Sequence, residues 1–174
     1  MNLGTWTHTY PQTPAQKAAG ATDLWEAKDV AADIRKCQDA GKKIFLALGG
    51  ASGKSDASFA SDAEARAFAD TVWNLFLGGQ SEGMRPFGDI VLDGIDINNE
   101  SFNTAHYAVF VAALRAKMDA AASTKKFLIS GTVWPCDHIT DSPNLPYSSF
   151  SGSLKCLSKE YHLITNHITK SHNN

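Results

Sequence analysis

The sequence contains no apolar run approaching the ~20 residues that a bilayer-spanning helix requires. Its first residues, MNLGTWTHTYPQTPAQ, lack the basic start and apolar core of a signal peptide, so nothing in the chain as written directs export. Cysteine is scarce: Cys37, Cys136 and Cys156 are the full set, and no two form a CxxC pair. Zinc-ribbon and thioredoxin-like sites are therefore not expected. Three thiols leave at least one unpaired within the chain, and buried apolar cysteines are the plain expectation. An excess of positive charge is absent too. The net charge is −2 and the lysines and arginines are scattered, which gives no reason to expect nucleic acid or an anionic membrane as partner.

What is present is a globular composition, 43% hydrophobic and 20% charged over 174 residues, enough for one domain with a core. Residues 1 to 26 read as loop. AKDVAADIRKCQDAG places Val30, Ile34 and Cys37 at helical spacing and ends on Gly41. KKIFLALGG follows as a buried strand. Ser61 and Glu64 form a capping box that opens a helix with Phe68, Val72, Leu75 and Phe76 inward, stopped by Gly78 and Gly79. DIVLDGIDI is a second strand. Thr104 is placed to cap a helix carrying Tyr107, Phe110, Val111, Leu114 and Met118 on one face, and KKFLISGTV is a third strand.

Alternating helices and nearly all-apolar strands predict a parallel α/β sheet. Two architectures fit: an open doubly wound sheet, or part of a (β/α)₈ TIM barrel. A complete barrel takes ~250 residues, so only the central strands would be present. Residues 151 to 174 differ in character and read as a solvated, disordered tail. His162, His167 and His172 recur there at a spacing that holds no single helix face, and no acid or cysteine completes a ligand set, so no metal site is expected.

The chemistry concentrates in VLDGIDINNE, residues 91 to 100. Asp96, Asn98 and Glu100 alternate and would share one face of a strand. Acids at the C-terminal end of a parallel strand lie where α/β proteins place active sites. Glycosidic cleavage needs one carboxylic acid to protonate the leaving oxygen and a neighbour to stabilise the developing cation. The competing view is structural: Asp93 and Asp96 end a strand and bond loop amides. Trp134 suits stacking on a sugar ring, with core or rim packing as the alternative.

VLDGIDINNE resembles the D-x-x-D-x-D-x-E signature of glycoside hydrolase family 18. CQDAGKKIFLALGGASG, TVWNLFLGG and RPFGDIVLDG are similar to segments of that family's plant and fungal class III chitinase branch, and KKFLISGTVWPCD more loosely so. The segments occur in family order. The resemblance implies a (β/α)₈ barrel, with residues 1–150 a partial catalytic domain and the open sheet as runner-up. It implies chitin or chitooligosaccharides as substrate, no cofactor, monomeric full-length relatives and an extracellular setting. It also implies retention assisted by the substrate's own acetamido oxygen. By position, Glu100 matches the general acid and Asp96 the acid behind it. Asn98 matches the aspartate that orients the acetamido group, and Asp93 the supporting first acid. Gly49 and Gly50 match the glycine pair near the cleft.

The departures are as informative. Asn98 offers hydrogen bonds but no charge to a developing cation, and losing such a group typically costs roughly 100- to 1,000-fold in rate. Without a carboxylate at 98, Glu100 is also expected to ionise more readily. Ala47 stands in place of a family serine, and no Gln precedes Cys136. The family's first strand, its later strands and their acetamido-holding tyrosine find no match. Cys37 and Cys136 match family cysteines whose disulfide partners fall in unmatched regions. Asn99-Glu100-Ser101 is formally a glycosylation sequon, but its place beside the acid argues against modification. Three outcomes follow: a weakened chitinase-type hydrolase, a non-catalytic carbohydrate-binding or inhibitor-like relative, or a fragment whose open sheet edges invite association.

Overall fold

The computed structural model describes residues 11–21, 24–49, 57–99, 103–121, 124–131 and 163–166. Four helices and four strands are formed among them: α1 (Pro14–Ala18), α2 (Lys28–Asp39), β1 (Phe45–Gly49), α3 (Asp62–Phe76), β2 (Gly94–Asn98), α4 (Tyr107–Ala120), β3 (Leu128–Gly131) and β4 (Leu163–Asn166). The strands make one sheet in the order β3-β2-β1-β4, and every pairing is parallel. Parallel neighbours need a crossover, and α3 and α4 supply it between β1, β2 and β3.

The two faces of the sheet are chemically distinct because side chains alternate along a strand. Leu46, Leu48 and Ile95 belong to the core that α3 and α4 cover with Val72, Phe76, Phe110 and Leu114. Each fully buried side chain of this kind contributes roughly 1.5–3 kcal/mol. The opposite face carries Phe45, Ala47 and Gly49 from β1, level in register with Gly94, Asp96 and Asn98 of β2. The inward helical positions anticipated on α3 and α4 are the ones packed, with Val72, Phe76, Tyr107, Phe110, Leu114 and Met118 buried. No described helix is long and apolar enough to cross a membrane.

Local chemistry corrects the sequence reading in three places. Residues 14–18, expected as loop, form α1. Thr13 Oγ1 accepts from the Gln16 amide at 3.0 Å and the Gln16 side chain accepts from the Thr13 amide at 2.9 Å. With Pro14 at the first helical position, this capping box nucleates a turn. Thr104 does not cap α4. His106 is the N-cap, at φ 62°, and the Thr104 carbonyl accepts from Tyr107 N at 3.2 Å. Leu163–Asn166, within the stretch expected to be a tail, forms β4 on the free edge of β1. Ser61 caps α3 as expected, accepting from Glu64 N at 3.2 Å, while Glu64 accepts from the Ala60 amide at 2.7 Å.

The connection from α3 to β2 is held by Arg85. Its guanidinium donates to five carbonyls, those of Asn74, Leu77, Gly79, Gly88 and Ile90, at 2.6–3.1 Å. The last carbonyls of a helix have no intrahelical partner, and a planar five-donor group suits them. Burial lowers its pKa, partly offset by Asp89.

Candidate active site

β2 begins one residue after Asp93 and ends at Asn98, so these two motif residues lie at opposite ends of a strand. At about 3.3 Å per residue, Asp93 and Asn98 are separated by roughly 16 Å. Asp93 is 3% exposed. Its carboxylate accepts from the Ile44 amide at 2.9 Å and from Gln38 Nε2 at 2.8 Å, with Lys125 Nζ at 3.4 Å and Lys43 Nζ at 3.5 Å. Burial pushes its pKa up, but the Ile44 and Gln38 hydrogen bonds and the two lysines outweigh that and hold it below the usual carboxylate value. Ile44 precedes β1, Lys125 precedes β3 and Gln38 lies on α2. Asp93 thus ties four segments at the N-terminal end of the sheet. Asp93 was expected as the supporting first acid beside the row of Asp96, Asn98 and Glu100; in the structure its oxygens are taken up by contacts within the fold. Gly94, next in the chain, is required by close approach, since a Cβ there would lie 2.0 Å from the Leu128 carbonyl oxygen and 2.8 Å from the Phe45 ring.

Asp96 and Asn98 occupy the C-terminal half of β2 on the face opposite the helix-covered core. Both are half-buried. Ser130 Oγ on β3 donates to Asp96 Oδ1 at 2.5 Å. Asn98 is level with Gly49, the last residue of β1, whose φ of 97° is a conformation that favours glycine. Asp96, Asn98 and Gly49 are therefore brought together. Gly50, Glu100 and Trp134 lie outside the described residues, as do His162, His167, His172, Cys136 and Cys156. Asn99 Nδ2 donates to the Asn103 carbonyl at 2.7 Å, which engages the sequon asparagine just after β2.

The connections leaving β1 and β2 are fastened to each other. Tyr107 Oη donates to the Ala57 carbonyl at 2.6 Å, and His106 Nδ1 lies 2.6 Å from Asp62 Oδ1. Phe59 stacks at 5.6 Å on Phe110 and packs against Phe68 and Tyr107. His106 and Tyr107, at the start of α4, are thus tied to Ala57, Phe59 and Asp62. Cys37 is a free thiol packed against the core. Among the described residues no group of three His, Cys, Asp or Glu side chains could hold a metal.

Sequence reasoning missed Ser130 and the partners of Asp93. Lysine pairs directly before two strands, Lys42-Lys43 and Lys125-Lys126, were the available signal for the latter. For Ser130 no local signal exists, because its role depends on strand register.

The family model for glycosyl hydrolases family 18 matches residues 8–150. The chain belongs to that family. It is 38% identical to Endochitinase 3 of Metarhizium anisopliae over 141 residues, which cover 80% of this chain and 44% of that protein. Its fold is similar to a chitinase of Ipomoea carnea, with TM-score 0.53, 35% identity, and coverage of 60% of this chain and 36% of that one. It is also similar to a xylanase and α-amylase inhibitor protein of Scadoxus multiflorus, with TM-score 0.54, 27% identity, and coverage of 62% and 40%. The chain spans less than half the length of each. This chain is thus similar both to chitinases and to a xylanase and α-amylase inhibitor protein.

Proposed function

We propose that this chain carries the acid row of a chitinase-type glycoside hydrolase and works slowly because that row has lost a charge. The observation that carries the reading is Asp96 and Asn98 together on the open face at the C-terminal end of β2, beside Gly49, with the motif running on to Glu100. The four strands are read as a segment of a (β/α)₈ barrel, with residues 1–150 the catalytic portion and β4 contributed from beyond it. The substrate is a β-1,4-linked N-acetylglucosamine polymer met outside the cell.

In this reading the acetamido oxygen of the bound sugar attacks C1 while the glycosidic bond breaks. Glu100 gives its proton to the leaving oxygen, and a cyclic oxazolinium ion forms. Water then opens it with retention, and Glu100 recovers its proton. Gly49 leaves room for the sugar, Gly50 extends that opening, and Trp134 offers a stacking surface. Asn98 orients the acetamido group by hydrogen bonding without opposing the positive charge.

Turnover of a fluorogenic chitotrioside by the purified chain tests this. Slow hydrolysis is expected, raised about 100-fold by Asn98→Asp. Rapid hydrolysis by the native chain would overturn the weak-activity reading, and an unchanged rate in Asn98→Asp would overturn the role of position 98. A second reading, a non-catalytic carbohydrate-binding or inhibitor-like relative, draws on Asn98 and on the likeness to the Scadoxus inhibitor protein. Retained chitooligosaccharide binding with no turnover in either form would favour it.

A further inference from the structure

The register of three neighbouring strands sets Ala47, Asp96 and Ser130 at one level across the sheet. Equivalent residues in a parallel register project to the same face. Asp96 therefore has one lateral neighbour on each side. Ala47 offers a methyl group and no proton. Ser130 offers a hydroxyl, and its Oγ lies 2.5 Å from Asp96 Oδ1. The Ile95 carbonyl is 3.5 Å from the same Oγ, a much longer contact. A hydroxyl has a single proton, and at these distances it goes to the carboxylate.

The consequence follows from the amide at position 98. Among the described strand residues on this face, Asp96 is the one formal negative charge. It lies one level below Asn98, further from any sugar at the strand ends. A charge at that remove is useful only if it stays aimed, because a freely rotating carboxylate averages its field and is readily hydrated. A short charge-assisted bond fixes one oxygen and so orients the other.

We infer that Ser130 is a positioning residue: it holds the Asp96 carboxylate as the fixed negative charge facing a cationic sugar intermediate, in place of the charge absent at position 98. The inference rests on the sugar-binding reading above. The alternative for Ser130 is a hydroxyl that merely satisfies a half-exposed acid, with no effect on ligand discrimination.

Two probes separate these roles in the 174-residue chain. One is a chitobiose whose reducing-end acetamide is replaced by a fused thiazoline, a mimic of the cyclised intermediate. The other is chitotriose, which lacks the cyclised ring and its basic nitrogen. Calorimetric affinities give their ratio. Ser130→Ala is expected to weaken thiazoline binding about five-fold, the equivalent of one net hydrogen bond, with chitotriose unchanged within two-fold. Ser130→Thr keeps the hydroxyl and should keep the ratio. Ala47→Ser added to Ser130→Ala restores a donor from the opposite neighbour and should recover most of the loss. If Ser130→Ala fails to fold, Ser130→Cys, similar in size with a weak donor, is expected to reduce the ratio part-way. An unchanged ratio in Ser130→Ala or Ser130→Cys, or an equal loss for both probes, overturns the inference and leaves the sugar-binding reading standing. Failure of the native chain to bind either probe overturns both.

Discussion

Asp93 and Asp96 are the same residue type three positions apart, and the fold uses them in opposite ways. Asp93 is buried at the N-terminal end of the sheet, with a backbone amide, a glutamine and two lysines around it. Asp96 is half-buried toward the C-terminal end and receives one serine hydroxyl. A carboxylate surrounded by fixed donors holds segments together but has no lone pair left for a ligand. A carboxylate with one donor is oriented and still has an oxygen to offer. The motif thus combines an acid enclosed by the fold and an acid left partly open, separated by a glycine that lets β3 and Phe45 close in.

The comparison is most severely tested at the glycine between them. Gly94→Ala puts a methyl group against the Leu128 carbonyl. It should destabilise the protein by about 3–5 kcal/mol, read as a lower urea midpoint. A loss under about 1 kcal/mol would mean that the strands separate easily and that the close approach is incidental.

Next comes the pair of acids. Asp93→Ala strands an amide and two ammonium groups and should cost about 3 kcal/mol of stability. Asp96→Ala should cost under about 1 kcal/mol, since its site is open. Its effect should appear instead as weaker binding of the thiazoline probe. Equal stability losses for the two variants would erase the distinction.

Acid titration separates them more gently. The folded pKa of Asp93 is held below its unfolded value near 3.8, so its contribution is fully present above that value. It fades as the pH falls through the lowered folded value. Native stability followed by tryptophan fluorescence should therefore drop below about pH 4, and Asp93→Asn should flatten that drop. A drop of equal size in Asp93→Asn would assign it to other groups.

The smallest effect distinguishes the two lysines. Lys125 is 27% exposed and Lys43 50% exposed at similar distances from Asp93. Lys125 Nζ also donates to the Val91 carbonyl. Lys125→Met is expected to cost about 1 kcal/mol and Lys43→Met at most a few tenths, because exposed pairs are screened. The reverse order in chemical denaturation would show that exposure does not govern these contacts.

Much of this was legible in the chain. Val72, Phe76, Phe110 and Leu114 fall at helical spacing and are the residues that cover the sheet. The runs around Leu46 and Ile95 became strands, and Ser61 capped the helix it was expected to cap. The short helix after Thr13 was equally written there, in Thr13-Pro14 and Gln16, but a five-residue element has too little periodicity to stand out.

Local pattern determined which residues form helices and strands, which side of each is apolar, and that a carboxylate, an amide and a carboxylate recur at every second position in residues 96–100. Those properties depend on neighbours within a few residues, where backbone sterics and side-chain period dominate. Tertiary structure alone decided that Asp93 faces Gln38, Lys43 and Lys125, that Ser130 comes level with Asp96, and that Leu163–Asn166 lies along β1. Each is a contact between segments more than 30 residues apart. It is fixed by strand order and register, which arise only when the apolar faces of several elements are buried together.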